Sequence, residues 1–152
     1  TRFAFVDIEP DPVEEKKSVQ AQILKRNQDL KEAYADCENV IEKFYEFINA
    51  VRKNRMIGVR TCLDVIRYTV SASVEDKNKK ECFLDEALCD YLLPQFDRLD
   101  KLMISSTIKL SKKHFPKATV FIKRLEETYT QLRKATLWMS DEPEEENTSV
   151  LS

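Results

Sequence analysis

Apolar residues recur three and four positions apart along most of this chain, which is the period of an amphipathic α-helix. The clearest stripe runs from Leu30 to Val51 and predicts a long helix. Asp11 followed by Pro12 predicts a helix start, because a carboxylate caps free amides and proline suits the first helical position. The predicted helices are Pro12 to Arg26, Asp29 to Lys53, Val59 to Ser73, Phe83 to Pro94, Gln95 to Lys113 in two pieces, and Lys117 to Lys134. We therefore expect an all-α helical bundle of about five to six helices.

The first ten residues follow a different pattern. Phe3, Phe5 and Ile8 favour β-structure, and Ala4 and Val6 between them are also apolar, which is typical of a buried strand. A lone strand leaves its backbone groups without partners, so we expect the chain to be part of something larger. Residues 1–10 would be the terminal strand of a preceding core, residues 11–136 the helical domain, and residues 137–152 an acidic, disordered tail.

Two features of the long helix and the connector after it bear on packing. The aromatic residues Phe44, Tyr45 and Phe47 either pack into the protein's own core, which is the commoner case, or form a face for a partner helix. The connector is rich in arginine, with Arg52 as its first member, and ends at the only glycine, Gly58. This glycine predicts a sharp backbone turn.

Composition narrows the class of protein. The 152 residues suit one domain, 34% of them are charged, and the formal net charge is only −2. This balance gives no general attraction to nucleic acid or to an anionic membrane. No apolar run approaches the ~18 residues of a membrane span. Because a signal-peptide pattern is also missing from residues 1–30, we expect a cytoplasmic protein.

The cysteine spacing argues against metal binding. There are four cysteines, no C-x-x-C pair, and one histidine. The cysteines occupy helix positions that otherwise carry apolar residues, so we expect reduced thiols buried in the core. These residues are Cys37, Cys62, Cys82 and Cys89.

The sequence contains no recognisable catalytic constellation. One glycine cannot build a phosphate-cradling loop, and no H-E-x-x-H pattern occurs. His114 has no nucleophile or second ligand beside it and is expected to be a surface or capping residue. Asp85, Glu86 and Asp90 are expected to form a solvated helix face rather than a catalytic pair.

Positive charge is concentrated late in the chain. Residues 108–134 include eight basic and two acidic side chains. Such a surface suits contact with nucleic-acid phosphates or an acidic partner, although charged helix faces are more often simply solvated. The candidates for phosphate or partner contact are Lys112, Lys113, Lys117, Lys123 and Arg124.

Three stretches together resemble one family. The first is Arg2 to Pro10 (RFAFVDIEP), the second is Gly58 to Thr61 (GVRT), and the third is Phe83 to Pro94 (FLDEALCDYLLP), which His114 to Lys117 (HFPK) follow later. They resemble the end of the AAA+ core and the C-terminal lid of McrB-like motor proteins, the nucleotide-hydrolysing partners of modification-dependent restriction nucleases. The resemblance covers most of Arg2 to Arg133 through short motifs.

The resemblance implies roles for two arginines. Arg60 matches the sensor-2 position, where an arginine at the start of a lid helix reaches the terminal phosphate of the nucleotide. A guanidinium group suits this role because it is permanently charged and grips phosphate oxygens at two points. Arg2 matches the position from which a trans-acting arginine finger can reach a neighbouring subunit's nucleotide.

The resemblance also implies an assembly. ATP or GTP with magnesium would be bound by an upstream ATPase core of the same chain, which would carry the phosphate loop. The parent would form a homo-oligomeric ring, with a nuclease subunit as a possible partner, in DNA restriction or phage defence. The chain by itself is expected to bind no cofactor and to catalyse no reaction.

A second hypothesis does not depend on the resemblance to a family. The chain could be a free-standing helical module that docks another protein through its basic last helix or its aromatic long helix. The hypotheses differ in whether residues 3–8 form a strand that lacks its partner. A helical enzyme is a third possibility, disfavoured because no convergent polar cluster is evident in the pattern.

Overall fold

A computed structural model describes residues 11–96 and 98–139 of the chain, with side-chain surroundings as far as residue 137. The predicted strand at residues 1–10, including Arg2, lies outside the described residues, as do residues 140–152 of the predicted tail. Within the described part the protein is an all-α helical bundle, as expected. Its helices are α1 (Pro12–Arg26), α2 (Lys31–Val51), α3 (Val59–Ser73), α4 (Lys80–Ala87), α5 (Lys101–His114) and α6 (Thr119–Met139).

The first three helices follow the local sequence closely. The bounds of α1 and α3 are those predicted, and the Asp11 carboxylate accepts a hydrogen bond from the Val13 amide at 2.9 Å. This contact confirms the predicted cap. The second helix begins two residues later than predicted, at Lys31, because Gln28–Leu30 form a 3₁₀ turn that Asn27 caps.

The second helix is the centre of the bundle and packs against α1, α3, α4 and α5. Phe44 and Phe47 are fully buried, and Tyr45 is nearly so. Phe47 packs edge-on against Phe115 and Phe121, which brings the start of α6 against the middle of the molecule. The core interpretation of the aromatic stripe is therefore confirmed.

The segment after α4 departs from a regular helix. Helix α4 itself begins at Lys80, earlier than predicted, and a 3₁₀ turn lies just before its first residue. After Ala87 the backbone widens into a π-helical turn, Leu88–Leu92, and then tightens into a 3₁₀ turn, Leu93–Phe96. Pro94 lies in this last turn and has no amide hydrogen to continue an α-helix. The predicted interruption therefore takes the form of two consecutive irregular turns.

The last two helices form an antiparallel pair whose limits differ from prediction. Asp100 caps α5 by accepting from the Met103 amide at 2.8 Å. The last helix begins two residues after Lys117 and continues to Met139, past the predicted domain boundary at residue 136.

The structure corrects the expectation for Gly58. Its φ and ψ are −72° and 158°, an extended conformation open to any residue, and an added Cβ would have no neighbour within 4 Å. The turn is instead made earlier, where the amides of Asn54 and Arg55 both donate to the Val51 carbonyl. No steric requirement for glycine exists here.

The cysteine prediction is correct in part. Cys37 and Cys62 are fully buried and Cys89 is half-buried, whereas Cys82 is exposed. The Cys82 prediction is wrong because this residue lies two positions from buried Leu84, which places it on the opposite side of α4. In the part of the chain that the structure describes, every helix is too short or too polar to cross a membrane.

Candidate functional site

Arg60 lies in the first turn of α3, one residue after the helix begins. Its side chain is 76% exposed, and its Nε lies 3.3 Å from Asp64 Oδ1 one turn further along. Asp64 is shared, because Arg67 Nη2 donates to the same oxygen at 2.8 Å. Exposed ion pairs contribute little to stability, so Arg60 loses little if it turns from Asp64 towards a ligand beyond the helix start.

A buried ion pair holds the end of the bundle that carries Arg60. Arg52 follows α2 directly, and its Nη1 and Nη2 each lie 3.0 Å from a carboxylate oxygen of Glu15 in the first turn of α1. The two side chains are only 11% and 3% exposed. Arg52 Nε donates to the Ile57 carbonyl at 3.0 Å, and Nη2 donates to Cys62 Sγ at 3.6 Å. One guanidinium thus joins the start of α1, the α2–α3 connector and the first turn of α3.

The two oxygens of Glu15 are not equivalent. Oε2 accepts a hydrogen bond from Arg52 Nη2, whereas Oε1 has no aligned hydrogen bond although Nη1 is 3.0 Å away. The Oε1 contact is therefore an ion pair without a well-aligned hydrogen bond. Glu15 depends on Arg52 for compensation of its charge, since a buried carboxylate is costly without a cation.

Burial around this ion pair makes its neighbours unreactive. Removal of the Cys62 thiol from water raises its pKa to about 12, although the adjacent Arg52 charge acts in the opposite direction. Burial likewise raises the pKa of Tyr45, whose hydroxyl has no hydrogen-bond partner in the described structure. Because a thiol must ionise to attack or to bind a metal, Cys62 is suited to packing rather than to catalysis.

The sequence analysis did not predict this ion pair, although the position of Glu15 gives one indication of it. Glu15 lies four residues before Val19 and eight before Ile23, and all three are buried on one face of α1. A carboxylate on an apolar stripe indicates a buried partner. Nothing local marks Arg52 as that partner, because 37 positions separate the two residues.

The burial of Asp85 differs from the predicted solvated helix face. Glu86 and Asp90 are exposed as predicted, but Asp85 is only 7% exposed. Its Oδ1 accepts from the Phe121 amide at 2.8 Å and its Oδ2 from the Val120 amide at 3.1 Å. The carboxylate of α4 thus caps the start of α6 from another helix, which sequence separation concealed.

The five basic candidates lie in different surroundings. Lys112 Nζ is 3.2 Å from Glu126 Oε2, and Lys117 Nζ is 3.5 Å from Glu81 Oε2. Lys123 and Arg124 border a shallow groove between α6 and the irregular segment, whereas Lys113 is exposed in the last turn of α5. The two pairs to glutamate neutralise part of the positive charge that the sequence suggested.

His114 is more buried than a surface residue. Its side chain is 13% exposed, with Nδ1 3.6 Å from Glu46 Oε2 and the ring edge-on to Phe47. It ends α5, as the expectation of a boundary position required. Among residues 11–96 and 98–139, no group of three His, Cys, Asp or Glu side chains is placed to hold a metal ion.

Comparisons with known proteins give no assignment. No family model, curated protein or solved structure matches the chain.

Proposed function

We propose that this chain is the C-terminal helical lid of a McrB-like AAA+ motor, and that Arg60 contacts the terminal phosphate of the ATP or GTP bound by the upstream core. One observation carries the proposal: an exposed arginine in the first turn of α3 lies at the end of the bundle where α1 begins. In the proposed parent, the core connects to the lid at the start of α1. Arg60 would then lie on the side of the lid that faces the nucleotide.

The buried ion pair supports this placement. Arg52 contacts Glu15 in the first turn of α1 and Cys62 in the first turn of α3. Arg60 lies in the same turn of α3 as Cys62. The position of Arg60 relative to the start of α1 is therefore fixed by buried contacts rather than by exposed side chains, so movement of the lid would move Arg60 with it.

The chemistry of the site suits phosphate sensing. A guanidinium group gives two parallel hydrogen bonds to phosphate oxygens and remains charged at all relevant pH values. Positive charge that approaches the transferring phosphoryl group stabilises the charge that develops there. The surroundings of Arg60 also include exposed apolar side chains, Met56 at 68% and Val59 at 39%, which suit contact with a protein surface such as the core.

The proposal extends to the cellular setting. The parent would act in the cytoplasm as a homo-oligomeric ring that couples nucleotide hydrolysis to subunit motion, and it would drive or gate a nuclease subunit in DNA restriction or phage defence. The proposal assigns no magnesium ligand to the described residues. The metal and the phosphate loop would belong to the core.

The test is nucleotide hydrolysis by the full-length protein that carries this chain, with Arg60→Ala compared against wild type. We expect turnover to fall by about 100-fold or more, which is the typical effect of removing one donor to developing charge. Nucleotide affinity should stay within about threefold of wild type if the contact acts mainly in the transition state.

The matched control is Arg26→Ala, which removes an exposed arginine from the last turn of α1. This variant should hydrolyse nucleotide at the wild-type rate. Unchanged turnover in Arg60→Ala, or an equal fall in both variants, would contradict the assignment of Arg60.

A helical interaction module is the second candidate. It is favoured by the shallow groove on α6, where Lys123 and Arg124 flank Leu93 and the 49% exposed Val120. Such a mixture of apolar and basic side chains suits an acidic helix or peptide of a partner. Failure of the Arg60 test would make this groove the first surface to examine.

A further inference from the structure

A second site lies away from Arg60, in a cleft where α2, α4 and the α5–α6 connection meet. The cleft has a volume of about 150 Å³. Its lysines come from all three elements, with Lys43 on α2, Lys80 on α4 and Lys117 in the connection, and His114 at the end of α5 also lines it. Glu81 is the acidic residue of the lining.

Most of this positive charge is not matched by negative charge. Lys80 Nζ donates to the Asp36 carbonyl at 3.0 Å, which uses a proton but leaves the charge uncompensated. Lys43 is exposed on α2 and forms no close ion pair with a described carboxylate. Lys117 lies 3.5 Å from Glu81. The lining therefore contains three lysines and one glutamate, an excess of two positive side chains.

The inner surface of the cleft is apolar. Val40, Leu84, Phe115 and Ala118 form it, and all four are buried. A cavity of ~150 Å³ accommodates a group the size of a benzene ring. The lining thus combines room for a small apolar body with lysines for a dianionic group, the arrangement expected of a site for an organic anion.

We propose that this cleft binds a small phosphate monoester with an apolar body, whose phosphate contacts Lys43, Lys80 and Lys117. Phosphate matches lysine because each ammonium group is a compact point charge with three donors. The apolar body contacts Leu84 and Phe115. Release of Lys117 from Glu81 accompanies binding, at little cost because that ion pair is exposed.

The cleft is independent of the nucleotide proposed for Arg60. The third helix contains 15 residues and so carries the chain about 22 Å from the turn of Arg60 to the turn that precedes α4. Lys80 and Glu81 lie in the first turn of α4, which follows that far end after a short connection. A ligand in the cleft therefore does not touch Arg60, and either proposal can fail alone.

The experiment is a titration of the chain with phenyl phosphate and with inorganic phosphate, followed by amide chemical shifts in ¹H–¹⁵N NMR spectra at constant ionic strength. We expect saturable shifts confined to the residues around Lys80 to Leu84 and Phe115 to Ala118. Phenyl phosphate should bind about tenfold more tightly than inorganic phosphate, because only the former buries apolar surface. Equal affinities would overturn the proposed ligand class.

Two variants test the charges in opposite directions. Lys43→Gln should weaken phenyl phosphate binding about three- to tenfold, and Glu81→Gln should strengthen it about two- to threefold. Lys25→Gln, an exposed lysine at the end of α1, should leave affinity unchanged. Equal weakening by Lys25→Gln, or shifts that do not saturate, would show adventitious binding to surface lysines and overturn the site.

Discussion

Arg52 and Glu15 are two charged side chains that folding removes from water, and each offsets the desolvation of the other. Truncation of one partner leaves the second charge buried and uncompensated, which costs far more than the pair contributes over an apolar substitute. The same contacts hold the first turns of α1 and α3 together. Substitution of either residue alone is therefore expected to be strongly destabilising.

Arg52→Ala is expected to lower the free energy of unfolding by about 3 to 5 kcal/mol. The double variant Glu15→Leu with Arg52→Met should recover most of that loss, because no unpaired charge remains. Urea denaturation followed by circular dichroism measures both. A double variant as unstable as Arg52→Ala would contradict the electrostatic explanation and indicate a packing defect instead.

At the scale of single residues, a contact was predictable from the sequence when its two partners lie close together in the chain. The Asp11 cap was predicted because donor and acceptor lie two positions apart. Asp85 was misassigned to the solvated surface because its amide partners lie 35 and 36 positions away. Arg60 was placed at a helix start by its neighbours Gly58 and Val59, but its exposure was settled only by packing.

The start of helix α6 is capped by a side chain from another helix. Ala118, the residue before the helix, has no side-chain oxygen with which to cap free amides. Asp85 supplies both oxygens from α4, to the amides of Val120 and Phe121. Since Phe121 is buried against α2, this contact positions the start of α6 within the core.

Asp85→Ala is expected to destabilise the protein by about 2 to 3 kcal/mol, because two amides lose a charged acceptor and at least one is buried. Hydrogen exchange at Val120 and Phe121 should accelerate more than exchange in α1. Asp90→Ala, which removes an exposed carboxylate from the same region, should change stability by less than about 0.5 kcal/mol. Equal effects of the two variants would contradict the capping role.

The first and last residues of a helix were predictable where the residues that begin or end it are its neighbours in the sequence. Asp11 and Pro12 predicted the start of α1, and the observed bounds of α1 and α3 are those predicted. The π-helical turn at Leu88–Leu92, which contacts α3 and α6, was not predictable from the sequence. Such turns carry no distinct sequence period.

At the scale of the whole molecule, burial of thiols links stability to pH. Burial raises the pKa of Cys37, raises that of Cys62 to about 12, and raises that of Cys89 to about 11, from an ordinary value of 9.0. Unfolded thiols therefore release protons at lower pH than native ones. Above pH 9 the unfolded state binds fewer protons, so stability must fall as pH rises towards 12.

The free energy of unfolding is expected to fall by up to about 1.4 kcal/mol per pH unit above pH 9 from Cys62 alone. Urea denaturation under reducing conditions at pH 8, 9 and 10 measures the slope. Cys62→Ala should make the slope shallower, whereas Cys82→Ala should not, because Cys82 is exposed. An unchanged slope in Cys62→Ala would contradict the protonation of this thiol in the folded protein.

The sequence by itself determined the fold class, the limits of α1 and α3, and the core position of the aromatic stripe on α2. These properties depend on periodicity and on caps that act over a few residues. Only the tertiary structure decided that Glu15 pairs with Arg52, that Asp85 caps α6, and that Lys43, Lys80 and Lys117 border one cleft. Each of these depends on residues that are distant in the chain and meet only when the helices pack, and no local pattern records which helix faces which.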